Sequence, residues 1–290
     1  MIVYLNGQFL DSDQATVSIW DGGYLYGDGI FTTLRLYCGV PLDLPAHWGR
    51  LREQARALEL PLPLEFPELE NAIASLAARS GRRQADGRIR ITISRGGSME
   101  NPLPLRDLEK IPPTILITLA PLPEDLPDLQ SRGIPVITLG AFFSRGNVPE
   151  LKTLNTLPSI LAQRMAAAAG CPEAILTGPE GILLEGAASN LFLVSSGNLL
   201  TPATGAGFLA GLTREKVLNL AKEMGIEVRQ KKLDGRHLEA ACEVFVVGSV
   251  REVVPVVTVD GRTVGDGTPG PVTRKFQHEY RQMIAGLLGN

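Results

Sequence analysis

Three prolines in Pro121-Leu122-Pro123-Glu124-Asp125-Leu126-Pro127 interrupt the middle of the chain. Proline has no N–H for a helix or a strand ladder, so neither element runs through this stretch. It predicts an inter-domain linker over residues 120–132, between a small α/β domain over 1–119 and a larger strand-rich domain over 133–290. The length agrees: 290 residues are too many for one small core and suit two.

Before the linker, Val3-Tyr4-Leu5 and Gln8-Phe9-Leu10 flank Asn6-Gly7, a pair that favours a type I′ hairpin turn. Phe31 to Tyr37 is rich in β-formers and predicts a strand. Pro45 opens a helix on which Trp48, Leu51, Ala55 and Leu58 recur at helical spacing, and a second helix is expected from Pro67 to Arg79. Arg88-Ile89-Arg90-Ile91-Thr92-Ile93-Ser94 alternates polar with apolar, a strand with one face on the core and the other toward something polar. Thr114 to Leu119 predicts one more strand. After the linker, strands are expected at 134–139, 173–177, 190–194, 243–248 and 253–259, and helices at 158–169, 213–224 and 271–287. The fold class is α+β.

A formal net charge of −3 without a Lys/Arg block argues against nucleic acid or an acidic membrane surface as partner. The start, Met1-Ile2-Val3-Tyr4-Leu5, has neither the basic nor the apolar region of a signal peptide, and no apolar run reaches bilayer length. Cys38, Cys171 and Cys242 are odd in number and far apart, and His47, His237 and His278 are scattered. Neither a disulfide framework nor a metal site is expected, and a reducing cytoplasm is the expected compartment.

Four local patterns carry chemistry. Lys152 sits among apolar residues in Leu151-Lys152-Thr153-Leu154, just before a helix. Burial disfavours a charged amine, and a neutral one attacks an aldehyde to form a Schiff base. A lone lysine in such a place is more often a surface group with its stem on the core. Glu185-Gly186-Ala187-Ala188-Ser189-Asn190 places an acid at a strand end, before small residues that let a flat ring approach the backbone. A carboxylate there can hold a pyridine nitrogen protonated, though a simple turn acid would read the same. Gly205 to Glu215 runs a glycine-bearing loop into a helix whose N-terminus suits a phosphate, with a plain loop capped by Thr213 as the alternative. Its spacing fits neither a Walker loop nor a dinucleotide fingerprint. Arg50 lies beside the apolar stripe of its helix, where a half-buried guanidinium needs an anion, or else is an ordinary surface arginine. An amine, an acid, a phosphate cradle and an arginine together match the handles of pyridoxal phosphate.

Read together, Tyr26-Gly27-Asp28-Gly29-Ile30-Phe31, Arg50-Leu51, Lys152-Thr153-Leu154-Asn155, Glu185 to Phe192, Gly211-Leu212-Thr213-Arg214 and Glu243 to Ser249 resemble the class IV aminotransferases. These are fold type IV pyridoxal-phosphate enzymes, and the likeness spans nearly the whole chain. It implies the two-domain fold of the D-amino-acid aminotransferases, with a pseudo-barrel second domain and a homodimer whose site lies near the domain boundary and is completed by the partner subunit. Lys152 would be the Schiff-base lysine and Glu185 the partner of the pyridine nitrogen. Arg50, Leu212, Thr213 and Ser249 would hold the phosphate, partly through backbone N–H groups, and Leu209 would pack on the ring. The resemblance also puts Ser189, Asn190, Gly211 and Gly248 on the cofactor side. Tyr26, Phe31, Thr33, Arg35, Arg88, Arg90 and Val250 would line the substrate side.

The substrates implied are an amino acid, branched-chain or D-type, and a 2-oxo acid such as 2-oxoglutarate. Ser98-Met99-Glu100-Asn101-Pro102 lacks the Arg-x-His trap of the best-known D-amino-acid enzymes, and Phe31-Thr32-Thr33 stands where branched-chain enzymes carry Phe-Glu-Gly. Phe31-Thr32-Thr33 and Ile93-Ser94-Arg95-Gly96 look more like 4-amino-4-deoxychorismate lyases, in which a threonine at the Thr33 position is thought to take part. Gly248 to Pro255 looks more like the transaminases. A transaminase is the leading expectation, with a lyase that releases pyruvate and p-aminobenzoate as the alternative.

Overall fold

The computed structural model describes residues 1–101, 103, 105–140, 150–205 and 207–289. Pro102 of the loop without the trap and Ala206 of the glycine-bearing loop lie outside them. The chain divides into two compact units, Met1–Leu122 with Leu151–Asn155, and Pro123–Glu150 with Thr156–Asn290.

The first unit begins with the expected hairpin. β1 (Ile2–Leu5) and β2 (Gln8–Asp11) pair in register Leu5↔Gln8, and both turn residues have positive φ, 47° at Asn6 and 88° at Gly7. A short helix, α1 (Gly22–Tyr26), is capped by the Asp21 side chain and leads into β3 (Gly29–Tyr37) and β4 (Val40–Pro41). Next come α2 (Leu44–Ala57) and α3 (Phe66–Arg79), each with proline in its first turn, where a missing N–H costs nothing. Glu65 and Glu68 close a capping box on α3. β5 (Gly87–Ser94) and β6 (Thr114–Ala120) complete an antiparallel sheet in the order β2-β1-β6-β5-β3-β4.

Alternation along β3 and β5 decides what each face of this sheet does. Ile30, Leu34, Leu36, Ile89, Ile91 and Ile93 are buried against Leu51, Leu69 and Ile73 of α2 and α3. The opposite parity carries Phe31, Thr33 and Arg35, paired across the strands with Thr92, Arg90 and Arg88 of β5, and Tyr37, paired with Val40 of β4. Hence the polar face foreseen in 88–94 is the face away from the helices.

The second unit opens with α4 (Leu126–Arg132), a helix inside the stretch read as linker. Pro127 falls in its first turn, so the proline argument fails there for the reason that lets Pro45 start α2. β7 (Ile134–Leu139), α5 (Leu157–Ala168), β8 (Glu173–Thr177), β9 (Leu183–Gly186), β10 (Asn190–Ser195) and β11 (Asn198–Pro202) follow. The chain ends with α6 (Leu212–Glu223), β12 (Val228–Lys231), α7 (Gly235–Glu239), β13 (Glu243–Gly248), β14 (Glu252–Val259), β15 (Arg262–Thr263) and α8 (Pro271–Leu287). The strands form one mixed sheet, β12-β11-β10-β13-β14-β7-β8-β9, with β15 added on β14. The sheet curls, bringing β9 back against β10. Its central strands are buried on both faces. Val244, Val246 and Leu191 sit in one cluster, while Phe192 stacks on Phe245, which meets Phe276 of α8. The fold is therefore α+β, as expected. No helix among the described residues is long and apolar enough to cross a membrane.

Candidate active site

In the first unit the site is built on Phe31. The Phe31 N–H donates to the Lys152 carbonyl at 2.9 Å, the Leu154 N–H donates to the Gly29 carbonyl at 2.9 Å, and Ile30 bridges to Thr153. The segment carrying the lysine is thus pinned by its main chain to the start of β3. Close approach is possible because Gly29 has no side chain: a Cβ there would lie 2.7 Å from Leu154 Cδ1 and 2.6 Å from the Ile93 oxygen. Asn155 donates to the Gly27 carbonyl at 3.3 Å, tying the same segment to the end of α1, on which Tyr26 is exposed.

The Arg90 guanidinium and the Lys152 amine share the Phe31 ring. Arg90 lies 3.7 Å and Lys152 Nζ 4.7 Å from its centroid, and Thr33 stands opposite Arg90 across the strands. Arg90 Nε donates to Thr92 Oγ1 at 3.1 Å. Burial, and then the neighbouring Arg88, lower the Arg90 pKa to about 10, so it remains a cation at neutral pH. An anion against it would relieve both costs. Arg35 is engaged differently: its guanidinium pairs with Asp86 at 2.9 Å and lies 4.4 Å from the Tyr37 ring. Arg88 is exposed.

Arg50 is half-buried on α2 and donates to Thr32 Oγ1 at 2.9 Å, while His47 Nδ1 lies 2.6 Å from the same oxygen. The sequence reading missed both partners. Their signal was present. Thr32 holds the core-facing parity of β3 among leucine and isoleucine, and His47 precedes Arg50 by one helical turn, so both buried polar groups require hydrogen bonds.

In the second unit Glu185 is 3 % exposed on β9, paired with Leu176 of β8. Asn190 braces the loop entering α6. Its Nδ2 donates to the Leu209 carbonyl at 2.8 Å, and its Oδ1 accepts the Gly211 N–H at 3.0 Å. Leu209 is buried between these contacts. Gly211, the N-cap of α6, has no side chain to cap the first turn, so the N–H groups of Leu212 and Thr213 begin the helix as a place for an anion. Asn190 pairs with Val247 and Gly248 with Glu252, which sets the Ser249-Val250-Arg251 turn at the end of β13. Ser189 donates its hydroxyl proton to Glu173 at 2.9 Å. Glu173 is fully buried, and the sequence reading missed it too, although an acid at the head of the apolar run Ala174-Ile175-Leu176 was its mark.

Among the described residues no cluster of His, Cys, Asp and Glu could hold a metal ion. Each unit's own chemistry is clear. The first carries an amine, an aromatic floor and guanidinium groups; the second carries a buried carboxylate and an open helix N-terminus.

The family described as amino-transferase class IV matches residues 29–259. A Methanocaldococcus jannaschii protein provisionally named as a branched-chain-amino-acid aminotransferase is 36% identical over 98% of this chain and 96% of its own length. A D-alanine aminotransferase of Bacillus licheniformis is 31% identical over 98% of this chain and 97% of its own. Among solved structures, the T.th. branched-chain amino acid aminotransferase complexed with N-(5′-phosphopyridoxyl)-L-glutamate superposes with a TM-score of 0.86. It is 28% identical, covering 98% of this chain and 94% of that one.

Proposed function

Because the chain belongs to the class IV aminotransferase family, we infer that it moves an amino group between an amino acid and a 2-oxo acid on pyridoxal 5′-phosphate, with Lys152 as the covalent anchor of the cofactor's aldehyde. The observation that supports this role for Lys152 is the main-chain pairing that holds it on β3 with Nζ against Phe31. The donor set fits the cofactor. Lys152 offers an amine, Glu185 a buried carboxylate for the pyridine nitrogen, and Leu212, Thr213 and Ser249, with Arg50, donors for the phosphate. Leu209 would pack against the ring, and Asn190, which bonds to the Leu209 carbonyl and the Gly211 N–H, would with Gly211 and Gly248 shape its bed. When bound, the cofactor supplies an electron sink. Lys152 Nζ takes the proton from the substrate Cα and later returns one as general acid.

The visible spectrum tests this reading. Single amino acids (L-valine, L-leucine, L-glutamate, D-alanine, D-glutamate) are added to the cofactor-loaded protein without any 2-oxo acid. A donor that discharges the absorbance of the lysine-bound cofactor identifies a transaminase and its preferred hand. A band that responds to none of them counts against it and moves the assignment toward the aminodeoxychorismate lyases.

On the substrate side, Arg90 is the receptor for a carboxylate. It is half-buried against Phe31 and its pKa is already lowered, whereas Arg35 is neutralised by Asp86. Arg90→Met is expected to raise KM for 2-oxoglutarate by about 10- to 100-fold with kcat changed far less, the worth of one charge-assisted hydrogen bond. Equal KM values in the two proteins would remove Arg90 from the site.

We also propose a homodimer. Leu157, Ile160, Leu161 and Met165 of α5 recur at helical spacing, and all four are at least 40 % exposed. A second copy is the partner that would cover them. Met165→Glu is expected to shift sedimentation from dimer toward monomer, and a variant as dimeric as the parent would place the interface elsewhere. The scattered free cysteines fit a reducing cytoplasm.

A further inference from the structure

Glu173 has no side-chain exposure to water, and a buried carboxylate is costly unless donors surround it. Here they do. Its Oε2 accepts the Ser189 hydroxyl at 2.9 Å and Arg251 Nη1 at 3.1 Å, and its Oε1 accepts the Ala174 N–H at 3.0 Å. Arg251 Nη2 adds a bond to the Pro172 carbonyl at 3.2 Å. The first two donors belong to different turns. Ser189 closes the turn that directly follows Glu185, where the Gly186 N–H donates to the Ser189 carbonyl at 2.7 Å. Arg251 closes the Ser249–Val250–Arg251 turn between β13 and β14, and its own carbonyl accepts from Gln130 Nε2 at 2.9 Å. Space between the carboxylate and the first turn is nil: a Cβ on Gly186 would collide with the Ser189 hydroxyl and lie 3.3 Å from the Glu173 carboxyl carbon.

We propose that Glu173 is a positioning residue for cofactor binding, one buried carboxylate that sets both the Glu185–Ser189 turn and the Ser249–Arg251 turn through Ser189 and Arg251. This rests on the reading above that Glu185 and Ser249 face the cofactor. It also gives Ser189 a part other than direct contact with the cofactor. A serine has one hydroxyl proton, and this one is committed to Glu173, so the side chain is a strut. An amide cannot replace the acid. Glutamine at 173 keeps the shape but turns one acceptor into a donor, facing either Arg251 or the Ala174 N–H with like polarity.

The test uses the full chain as Glu173→Gln, Arg251→Met, Arg251→Lys and the double variant Glu173→Gln/Arg251→Met. Two ligands are titrated well below each protein's melting temperature. Pyridoxal 5′-phosphate can bond to Lys152; pyridoxine 5′-phosphate, without an aldehyde, cannot. The expected result is a loss of affinity of about tenfold or more for both ligands in Glu173→Gln and Arg251→Met. Arg251→Lys should recover part of it, and the double variant should be no worse than the weaker single variant, because both changes break one unit. A purely structural role would lower the melting temperature and leave both affinities and the visible band as in the parent, and that result would overturn the proposal. Should Glu173→Gln not fold, Arg251→Met decides, since Arg251 is 27% exposed and its loss leaves Ser189 on Glu173. A parent protein that bound neither ligand would instead overturn the functional reading on which this proposal stands.

Discussion

Lys152→Ala is expected to stop turnover, with kcat falling by about 10³-fold or more, because one substitution removes both the anchoring amine and the general base. The fold should be untouched. What pins this segment to β3 is the Lys152 carbonyl and the Leu154 N–H, and alanine keeps both bonds. The variant should therefore melt near the parent's temperature and still bind pyridoxal 5′-phosphate through the phosphate-side groups of α6 and the Ser249 turn. Its absorbance should be that of a free aldehyde. The check is steady-state turnover with whichever donor discharges the parent's band, together with the spectrum of the loaded variant. Normal turnover would end the assignment of Lys152, and with it the functional reading. A small added amine is expected to restore a trace of activity, since it can carry the proton but cannot be held in place.

The strands and helices were legible wherever a period met a buried face. Arg88 to Ser94 alternates strictly, so the residue order alone separates its two faces, and β5 has the parity foreseen. Helices α2 and α3 announced themselves by proline at the start and leucine at helical spacing. What could not be read was pairing between distant segments. By sequence order Lys152 follows the proline stretch, yet Leu151–Asn155 packs with the first unit, because its main chain bonds to Gly29 and Phe31. No local pattern encodes that contact; only the bare Gly29, which allows it, is visible. The parallel pairing of β11 with β12 was hidden for the same reason. Within the candidate site, Lys152 and Glu185 stood out as odd neighbours in the sequence. The roles of supporting residues did not. Thr32 and His47 behind Arg50, and Glu173 behind Ser189, are marked in the sequence as polar residues on apolar runs, but only distances show what they hold.

Glu185→Gln should separate the acid's role from that of the lysine. The amide occupies the same buried space on β9, so packing against β8 should survive. Its loss is the negative charge that favours a protonated pyridine nitrogen. Without that charge, negative charge developing at the substrate Cα has a poorer place to go. The expected cost in kcat is about 100-fold, the scale seen when one preorganised electrostatic partner is removed from a reacting centre. KM should move little if the acid, as proposed, meets the cofactor and not the substrate. The loaded variant should still show the band of the lysine-bound cofactor, since Lys152 is intact, and this distinguishes it from Lys152→Ala. Stopped-flow discharge of that band by the responding amino acid is the measurement. Slow discharge with a normal starting band places Glu185 at the ring nitrogen, while discharge at the parent's rate would leave it a buried acid of β9 with no part in the reaction.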